Sequence, residues 1–328
     1  MAEPSPGIDG VGRADPADPA DHTDHADSTD HADHADSTDP AEHTNHTDRT
    51  KHIAATAADE RPLFGPVAYL LLVRMWSKSA SQYRVSLLLT GLAQLLTTSL
   101  DLIAIIVIYT QVQTLAGFTL PETLYLYGTT RLAFGLSDLV ASGVEGLATT
   151  IRLGNFDLVL IRPVSSLAQV LADQFTPKRF GKLLAPLITL GWALNTLSVH
   201  WTGPKILVCA GTVVSGFVIY CALWVLTGCV SFIAVDAQEM ANSFTYGSEF
   251  ATEYPLQIFG RPLGLALTFV LPVAFVTWQP SLYVLGHADP FGLPGFLRFA
   301  SPAMAAALSG IAALAWRGCI RHYRSTGS

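Results

Sequence analysis

The sequence predicts an all-α integral membrane protein with six transmembrane helices behind a disordered N-terminal tail. Of its 328 residues, 50% are hydrophobic and only 14% are charged, whereas soluble domains carry about 25% charged residues. Six apolar runs follow residue 84, and most approach the roughly 20 residues that cross a bilayer core. Within a bilayer only a helix satisfies the backbone hydrogen bonds of such a run, so we expect six helices.

Residues 1–60 form an Asp- and His-rich tail of low complexity. The tail holds 15 of the 26 acidic residues and seven of the ten histidines, and it repeats DHADSTD at 24–30 and 33–39. Because large apolar residues are nearly absent, the tail cannot bury enough surface to offset its chain entropy, and we expect disorder. Imidazole and carboxylate groups do bind metals, but without a fixed geometry we favour a solvated tail over a metal site.

Residues 61–84 mix aromatic and apolar side chains with Arg74, Lys78 and Arg84. This composition favours an amphipathic helix that lies in the membrane interface. The alternative is a cytoplasmic extension of the first transmembrane helix.

The apolar runs define a transmembrane domain over 85–318, followed by a short tail at 319–328. The six predicted spans are 85–111, 122–148, 181–200, 206–234, 262–285 and 297–316. Pro272 and Pro280 are expected to kink or end the fifth span, because proline interrupts the helical hydrogen-bond ladder. Residues 235–260 carry four acidic residues and are interpreted as a loop.

The distribution of basic residues orients these spans, because cytoplasmic loops carry an excess of lysine and arginine. With both termini in the cytoplasm, 13 basic residues after the tail fall on the inside, Arg261 among them, and only Lys205 and Arg298 fall on the outside. We therefore expect both termini and the 152–180 loop on the cytoplasmic side.

The second span carries a stripe of small and charged residues. Two series recur there with a period of seven: Leu124, Arg131, Asp138 and Glu145 in one, and Gly128, Gly135 and Ser142 in the other. Seven residues are nearly two helical turns, so each series keeps to one narrow face of the helix. Small residues let a second helix approach closely.

The charges of this stripe need partners, because ionisable groups inside a membrane are costly unless they face protein or water. Arg131 and Asp138 are about 10 Å apart along the helix axis, too far for an easy pair. Asp101 of the first span is expected at the depth of Arg131, which predicts an Arg131–Asp101 ion pair. The stripe either lines a substrate path or subunit contact, or it is a packing face with internally satisfied charges.

The sequence shows no motif for catalysis or for nucleotide binding. It contains no G-x-x-x-x-G-K-[ST], H-E-x-x-H or G-x-S-x-G pattern that would mark a phosphate loop, a zinc protease or a serine hydrolase. Its four cysteines lack metal-ligand spacing, and buried thiols are usually inert. We expect no catalytic residue, metal or cofactor in this chain.

Three stretches carry a family resemblance: ATTIRLGNFDLVLIRPVSSL at 148–167, EFATEYPLQIFGRPL at 249–263 and FVLPVAFVTWQPSLYVLG at 269–286. They resemble I-x-x-G-x-x-D-x-x-L-x-R-P, Y-P-x-x-I-F and P-x-x-F-x-x-x-x-P-x-x-x-L-G. These signatures follow the second span, precede the fifth and end the fifth in the permease subunit of a type-2 ABC exporter of a bacterial six-span branch. The resemblance runs from about residue 65 to the C-terminus and excludes the tail.

In such exporters the loop after the second span includes a cytoplasmic coupling helix that docks onto a separate ATP-binding subunit. The resemblance places these residues in or beside that helix: Ile151, Arg152, Gly154, Asp157, Leu160, Arg162 and Pro163. Gly154 would allow a tight bend, and the two arginines could reach acidic groups or helix C-termini of the partner. The alternative is a basic loop that faces the membrane.

The resemblance implies a non-catalytic transport subunit, multi-pass in the bacterial cytoplasmic membrane. Its partners would be an ATP-binding subunit that holds ATP and Mg, a second permease chain that is identical or similar, and the lipid bilayer, with no nucleic acid. Two alternatives stay open. One is an ion- or proton-coupled secondary transporter with Asp101, Arg131 and Asp138 as its relay; the other, less favoured, is an intramembrane enzyme.

Overall fold

A computed structural model describes residues 69–71, 73–75, 84–173, 177–234 and 238–323 of the chain. These residues are almost entirely helical, and no strand occurs among them beyond one isolated bridge between Leu115 and Phe118. The predicted tail at 1–60 lies outside the described residues, as does most of the predicted interfacial helix at 61–84. Within the latter, 69–71 and 73–75 are helical, and the Tyr69 hydroxyl donates to the Val140 carbonyl at 3.0 Å.

The described helices follow the apolar runs closely over most of the chain. The α-helices are α1 Arg84–Gln111, α2 Leu120–Ala141, α3 Leu147–Arg152, α4 Phe156–Leu160, α5 Ser166–Ala172, α6 Gly181–Thr196, α7 Gly203–Val230, α8 Gln238–Thr252, α9 Gly260–Phe269, α10 Trp278–Leu285 and α11 Ser301–His322. Short 3₁₀ helices occupy Ser142–Gly146, Pro177–Phe180, Leu256–Phe259, Pro272–Phe275 and Gly295–Phe299.

Helix α2 lies at the centre of the bundle, and its small residues allow close packing. A Cβ atom on Gly128 would come within 2.9 Å of the Leu190 Cβ on α6, and one on Gly135 within 2.6 Å of the Leu183 Cδ2. On the α7 side, a Cβ on Gly216 would lie 3.0 Å from the Ala133 Cβ of α2. The closest approach is at Gly128, where an added Cβ would also lie 3.0 Å from the Leu190 backbone, so the absence of a side chain lets α2 and α6 pack closely there.

The bundle has two ends, which we name after exposed or partly exposed residues that lie there. At the His287 end, His287 Nε2 lies 2.8 Å from Glu122 Oε1 near the start of α2. At the Arg162 end, the ring of Phe156 on α4 contacts Phe232, just after α7, with 5.1 Å between the ring centroids. Helices α2 and α7 thus run in the same direction, from the His287 end to the Arg162 end.

The interpretation of residues 235–260 as a loop is wrong, because Gln238–Thr252 forms helix α8. Three contacts follow one another along α2. The Tyr246 hydroxyl donates to Glu145, Glu249 pairs with Arg131, and the Gln257 side-chain amide donates to the Ala116 carbonyl. Residues 238–259 therefore extend along α2 from the Arg162 end to the His287 end. Their acidic residues concealed this helix, since carboxylates lower the hydropathy of a segment regardless of their partners.

The single fifth span predicted at 262–285 is also wrong, because the chain breaks there into α9, a 3₁₀ turn and α10. The interruption at Val270 and Leu271 directly precedes Pro272, so the expected break at this proline is confirmed. Pro280 lies in the first turn of α10, where a missing N–H is tolerated.

These two short helices make a hairpin that enters from the His287 end. Gly264 of α9 lies against the Phe291 ring near that end. At the turn, the Thr277 hydroxyl lies 2.8 Å from that of Thr130, in the middle of α2. The chain then returns through α10 to His287. Arg261, at the start of α9, consequently lies at the His287 end and not at the Arg162 end as predicted.

Three of the described helices are long and apolar enough to cross a membrane: Leu88–Gln111 within α1, Gly203–Val230 and Ser301–His322. Helix α2 is 22 residues long but contains Glu122, Arg131 and Asp138. Helix α6 has 16 residues. Length and composition thus support three crossings, and the predicted total of six crossings stays a prediction.

Candidate functional site

The first candidate site is a cluster of charged residues around Arg131 in the middle of α2. Arg131 Nη2 lies 2.7 Å from Asp101 Oδ2 of α1, so the predicted ion pair is present. Two further carboxylates come from residues 238–259, which we call the α8 segment. Arg131 Nη1 lies 3.0 Å from Glu249 Oε1, and Arg131 Nε lies 2.5 Å from Glu253 Oε1. One guanidinium therefore joins α1, α2 and α8.

The Arg131 cluster holds more negative than positive charge. The side chain of Glu253 is 1% exposed and that of Glu249 is 6% exposed, whereas that of Asp101 is 43% exposed. The Tyr127 ring also lies against Arg131, with its centroid 5.6 Å from the guanidinium carbon. Such a ring attracts a cation. Glu249 and Glu253 therefore depend on Arg131 for a charged partner because water hardly reaches them. Asp101 depends on it less because it is partly exposed.

A second charged cluster surrounds Asp138, nearer the Arg162 end. Asp138 is fully buried and accepts from Arg179 and from Lys182, the latter at 2.9 Å. Arg179 also lies 3.0 Å from Glu145 Oε2, and Tyr246 donates to the other oxygen of that carboxylate. Two cations thus face two carboxylates, and the cluster is balanced. Arg131 and Asp138 lie on the same helix and contact different charged partners.

The remaining stripe residues belong to the packing of α2. Gly128 and Gly135 approach α6, as described above, and Leu124 is buried in the core. The side chain of Ser142 lies outside the described residues. The stripe therefore combines close contacts at its glycines with ion pairs at its charged positions. Its charged side is incompletely covered, because Arg131 between α1 and α8 stays 21% exposed.

The second candidate site is the chain from Leu147 to Ala172, at the Arg162 end, where the coupling residues were predicted. Phe156 is fully buried, and its ring contacts Phe232 and, at 5.0 Å between centroids, Tyr323 after α11. Ile151 is buried as well. These two side chains fix the segment to the bundle.

Local backbone features shape this segment. Gly154 has a φ angle of +70° and joins α3 to α4, which agrees with the bend expected there, since only glycine adopts this conformation without strain. Gln169 of α5 donates its side-chain amide to the carbonyls of Val159 and Val164, at 3.0 and 2.9 Å. These two hydrogen bonds hold the chain between α4 and α5 against α5. Pro163 lies in this bend and not at a helix start, because α5 begins at Ser166.

The outer surface of the segment is apolar and basic. Leu153, Leu158 and Ile161 are exposed, Ile161 by 77%. Arg152, Leu160, Arg162 and Pro163 are exposed beside them. Asp157 is half-buried and lies against Tyr323, whose pKa is raised by burial and then by this carboxylate. The predicted arginines are thus on the surface. Ile151 is buried against the bundle, and Asp157 lies on the side of the segment that faces Tyr323.

Sequence reasoning missed several residues of both sites. Glu249 and Glu253 are four residues apart, the spacing that puts two side chains on one helical face, and this spacing was the available signal. No comparable signal marked Leu153, Leu158 and Ile161 as exposed, because their residue types also fill the core.

Residues 95–327 match a family model described as ABC-2 family transporter protein. The match begins within α1 and covers every later helix, including both charged clusters and the segment from Leu147 to Ala172. No curated protein and no solved structure matches the chain.

Proposed function

The chain belongs to the ABC-2 family of transporter proteins, and from this premise we propose that it is the permease subunit of an ATP-driven exporter. It is a multi-pass membrane protein. Under this proposal it hydrolyses nothing itself, and a separate subunit binds ATP and Mg and transmits its conformational changes to the helices. The transport path is formed with a second permease chain.

The proposed crossings are α1, α2, α6, α7, the α8 segment through Phe259, and α11. The α9–α10 hairpin enters the membrane from the His287 end and leaves at the same end. This assignment keeps six crossings and puts both termini on the cytoplasmic side. It moves Arg261 outside, so that 12 basic residues lie inside and three outside, and this excess still supports the Arg162 end as cytoplasmic.

The surface of Leu153, Leu158 and Ile161 beside Arg162 is the observation that carries the proposal. These side chains lie on a short segment held by the buried Phe156. Apolar groups exposed together with a cation are typical of an interface with a protein partner. A rigidly held segment of this kind can transmit a push from an ATP-binding subunit to α2, because Leu147 directly follows the 3₁₀ turn after α2.

The Arg131 cluster is the proposed lining of the path. Asp101 and Arg131 stay partly exposed between α1 and α8, although a lipid-facing carboxylate in mid-membrane is costly. A second permease chain facing α1 and α8 would remove this cost by enclosing the Asp101 carboxylate in water or protein. The charged stripe would then serve both to pack α2 and to face the cargo.

An Arg162→Glu variant tests the docking role. Reversing one charge at a protein contact can cost several kcal/mol, and a loss of about 2.8 kcal/mol is already a hundredfold in affinity. The variant should reach the membrane at the normal level, retain much less ATP-binding subunit on affinity purification, and lose most of its stimulation of ATPase activity. Arg317→Glu is the matched control, since Arg317 is exposed near the same end on α11.

Normal retention of the ATP-binding subunit by Arg162→Glu would overturn the assigned docking surface. Loss of the variant from the membrane would instead make Arg162 a folding residue. Transport by the chain in vesicles that contain no ATP-binding subunit would contradict the exporter assignment and favour the ion-coupled alternative.

A further inference from the structure

A cavity of about 300 Å³ lies at the His287 end, between the first half of α7, the hairpin and the start of α11. Most of its lining is apolar. Two of its polar residues already donate within the protein: Thr212 to the Val208 carbonyl and Ser301 to the Phe275 carbonyl, each at 2.7 Å. The remaining polar side chain in the lining is that of Arg298, and its hydrogen-bond donors are unused.

Arg298 has no hydrogen bond or ion pair within the described part of the chain, and its Nε is buried without a partner. The two other arginines with a buried Nε, Arg131 and Arg179, each contact carboxylates of the protein. A half-buried guanidinium is stable when an anion completes its bonds, and a phosphate matches its planar fork of donors. The cavity therefore offers an anion site without supplying the anion.

The surroundings of the cavity are suited to a lipid. Leu207 in its lining is 74% exposed, Phe299 is 52% exposed, and the neighbouring Phe296 is 70% exposed. Arg298 precedes α11, one of the helices apolar enough to cross a membrane, so it lies at the edge of the apolar layer. Lys205 adds a second cation one turn before Val208 on the same face of α7.

We propose that this cavity binds one anionic phospholipid. Arg298 contacts the phosphate, Lys205 adds attraction to the headgroup, and an acyl chain lies along α7 over Gly211. The site is distinct from the charged clusters on α2 and does not depend on the ATP-binding subunit. A phospholipid here would hold the hairpin, α7 and α11 together at the His287 end.

The test uses the full-length chain, delipidated in detergent and titrated with phosphatidylglycerol or phosphatidylcholine while native mass spectrometry counts bound lipid. One phosphatidylglycerol should bind tightly, and phosphatidylcholine at least tenfold more weakly. Arg298→Gln should weaken phosphatidylglycerol at least tenfold. Arg261→Gln, which removes an exposed cation at the same end outside the cavity, should bind as the wild type does.

A second pair of variants tests the acyl-chain part of the site. A Cβ on Gly211 would meet nothing within 4 Å, and the same holds for Gly310 on α11. Because Gly211 lines the cavity, Gly211→Leu places its side chain in the space proposed for the acyl chain. It should weaken binding of the lipid at least tenfold, whereas Gly310→Leu should not. Inorganic phosphate at millimolar concentration should not displace the lipid.

Equal binding of phosphatidylglycerol to wild type and Arg298→Gln would overturn the proposal, as would equal affinity for the two lipids. Displacement by inorganic phosphate together with normal binding to Gly211→Leu would also overturn it, because the site would then take a free anion. If Arg298→Gln fails to fold, the Gly211→Leu and Gly310→Leu pair decides the outcome alone.

Discussion

Arg131 and Arg162 belong to the two regions that define this molecule, and their surroundings are opposite. Arg131 in the interior of α2 contacts Asp101, Glu249 and Glu253. Arg162 on the segment at the end of the bundle is exposed and has no ion pair within the described residues. The interior uses charge to join helices, and the segment presents charge outward.

The apolar residues of the two regions differ in the same way. Leu124 of α2 is 3% exposed, whereas Ile161 of the segment is 77% exposed. The charged residues of α2 are therefore paired and its apolar core residues are buried, and substitutions of these residues should act on folding. The segment exposes Leu153, Leu158 and Ile161 beside Arg162, so substitutions on its outer surface should act on a partner.

Arg131→Ala should cause the largest loss of stability. Removing one partner of a buried ion pair costs about 3–5 kcal/mol, because the remaining charge stays buried. Since Glu253 is almost fully buried and Asp101 is 43% exposed, adding Glu253→Gln should restore more protein than adding Asp101→Asn. The amount of chain in the membrane and its thermal unfolding in detergent measure this order. Better rescue by Asp101→Asn would show that exposure does not set the cost.

Phe156→Ala should cost somewhat less stability than Arg131→Ala. Phe156 is the residue through which the outer segment is attached to the bundle. Truncating a buried phenylalanine costs about 3 kcal/mol or more, here through lost contact with Phe232 and Tyr323. Leu158→Asp on the same short helix should change stability by no more than about 0.5 kcal/mol, since Leu158 is exposed, yet it should reduce retention of the ATP-binding subunit. Equal destabilisation by both variants would show that the segment has no separate outer surface.

The sequence was sufficient for the features that depend on local composition. The runs that became α1, α6, α7 and α11 are apolar over most of their length, so hydropathy located these helices. Their boundaries were less predictable, since the last span was predicted to end at 316 and α11 continues to His322. The Arg131–Asp101 pair followed from depth alone, because both residues lie near the middle of adjacent spans. The break before Pro272 followed from the missing N–H of proline.

The features that depend on distant partners were not predictable in this way. Glu249 and Glu253 make the α8 segment look like a loop until Arg131 is placed opposite them, and this contact is separated by more than a hundred residues in the chain. The α9–α10 hairpin was not predictable either, because its apolar residues are together long enough for a single span. Ile151 on α3 and Ile161 directly after α4 are the same residue type, yet Ile151 is buried and Ile161 is exposed.

Gly154→Ala should cost less stability than Arg131→Ala or Phe156→Ala, and it tests how firmly α4 is held to α3. Gly154 adopts a φ of +70° between α3, which is anchored by Ile151, and α4, which carries the outer surface. An alanine in the left-handed region costs about 1–2 kcal/mol, so the variant should fold but hold α4 less well and retain less ATP-binding subunit. Gly154→Asn should lie closer to wild type in both thermal unfolding and partner retention, because asparagine enters this region more readily. If asparagine and alanine behave alike, the loss comes from the added side chain, and the backbone conformation at Gly154 does not control the position of α4.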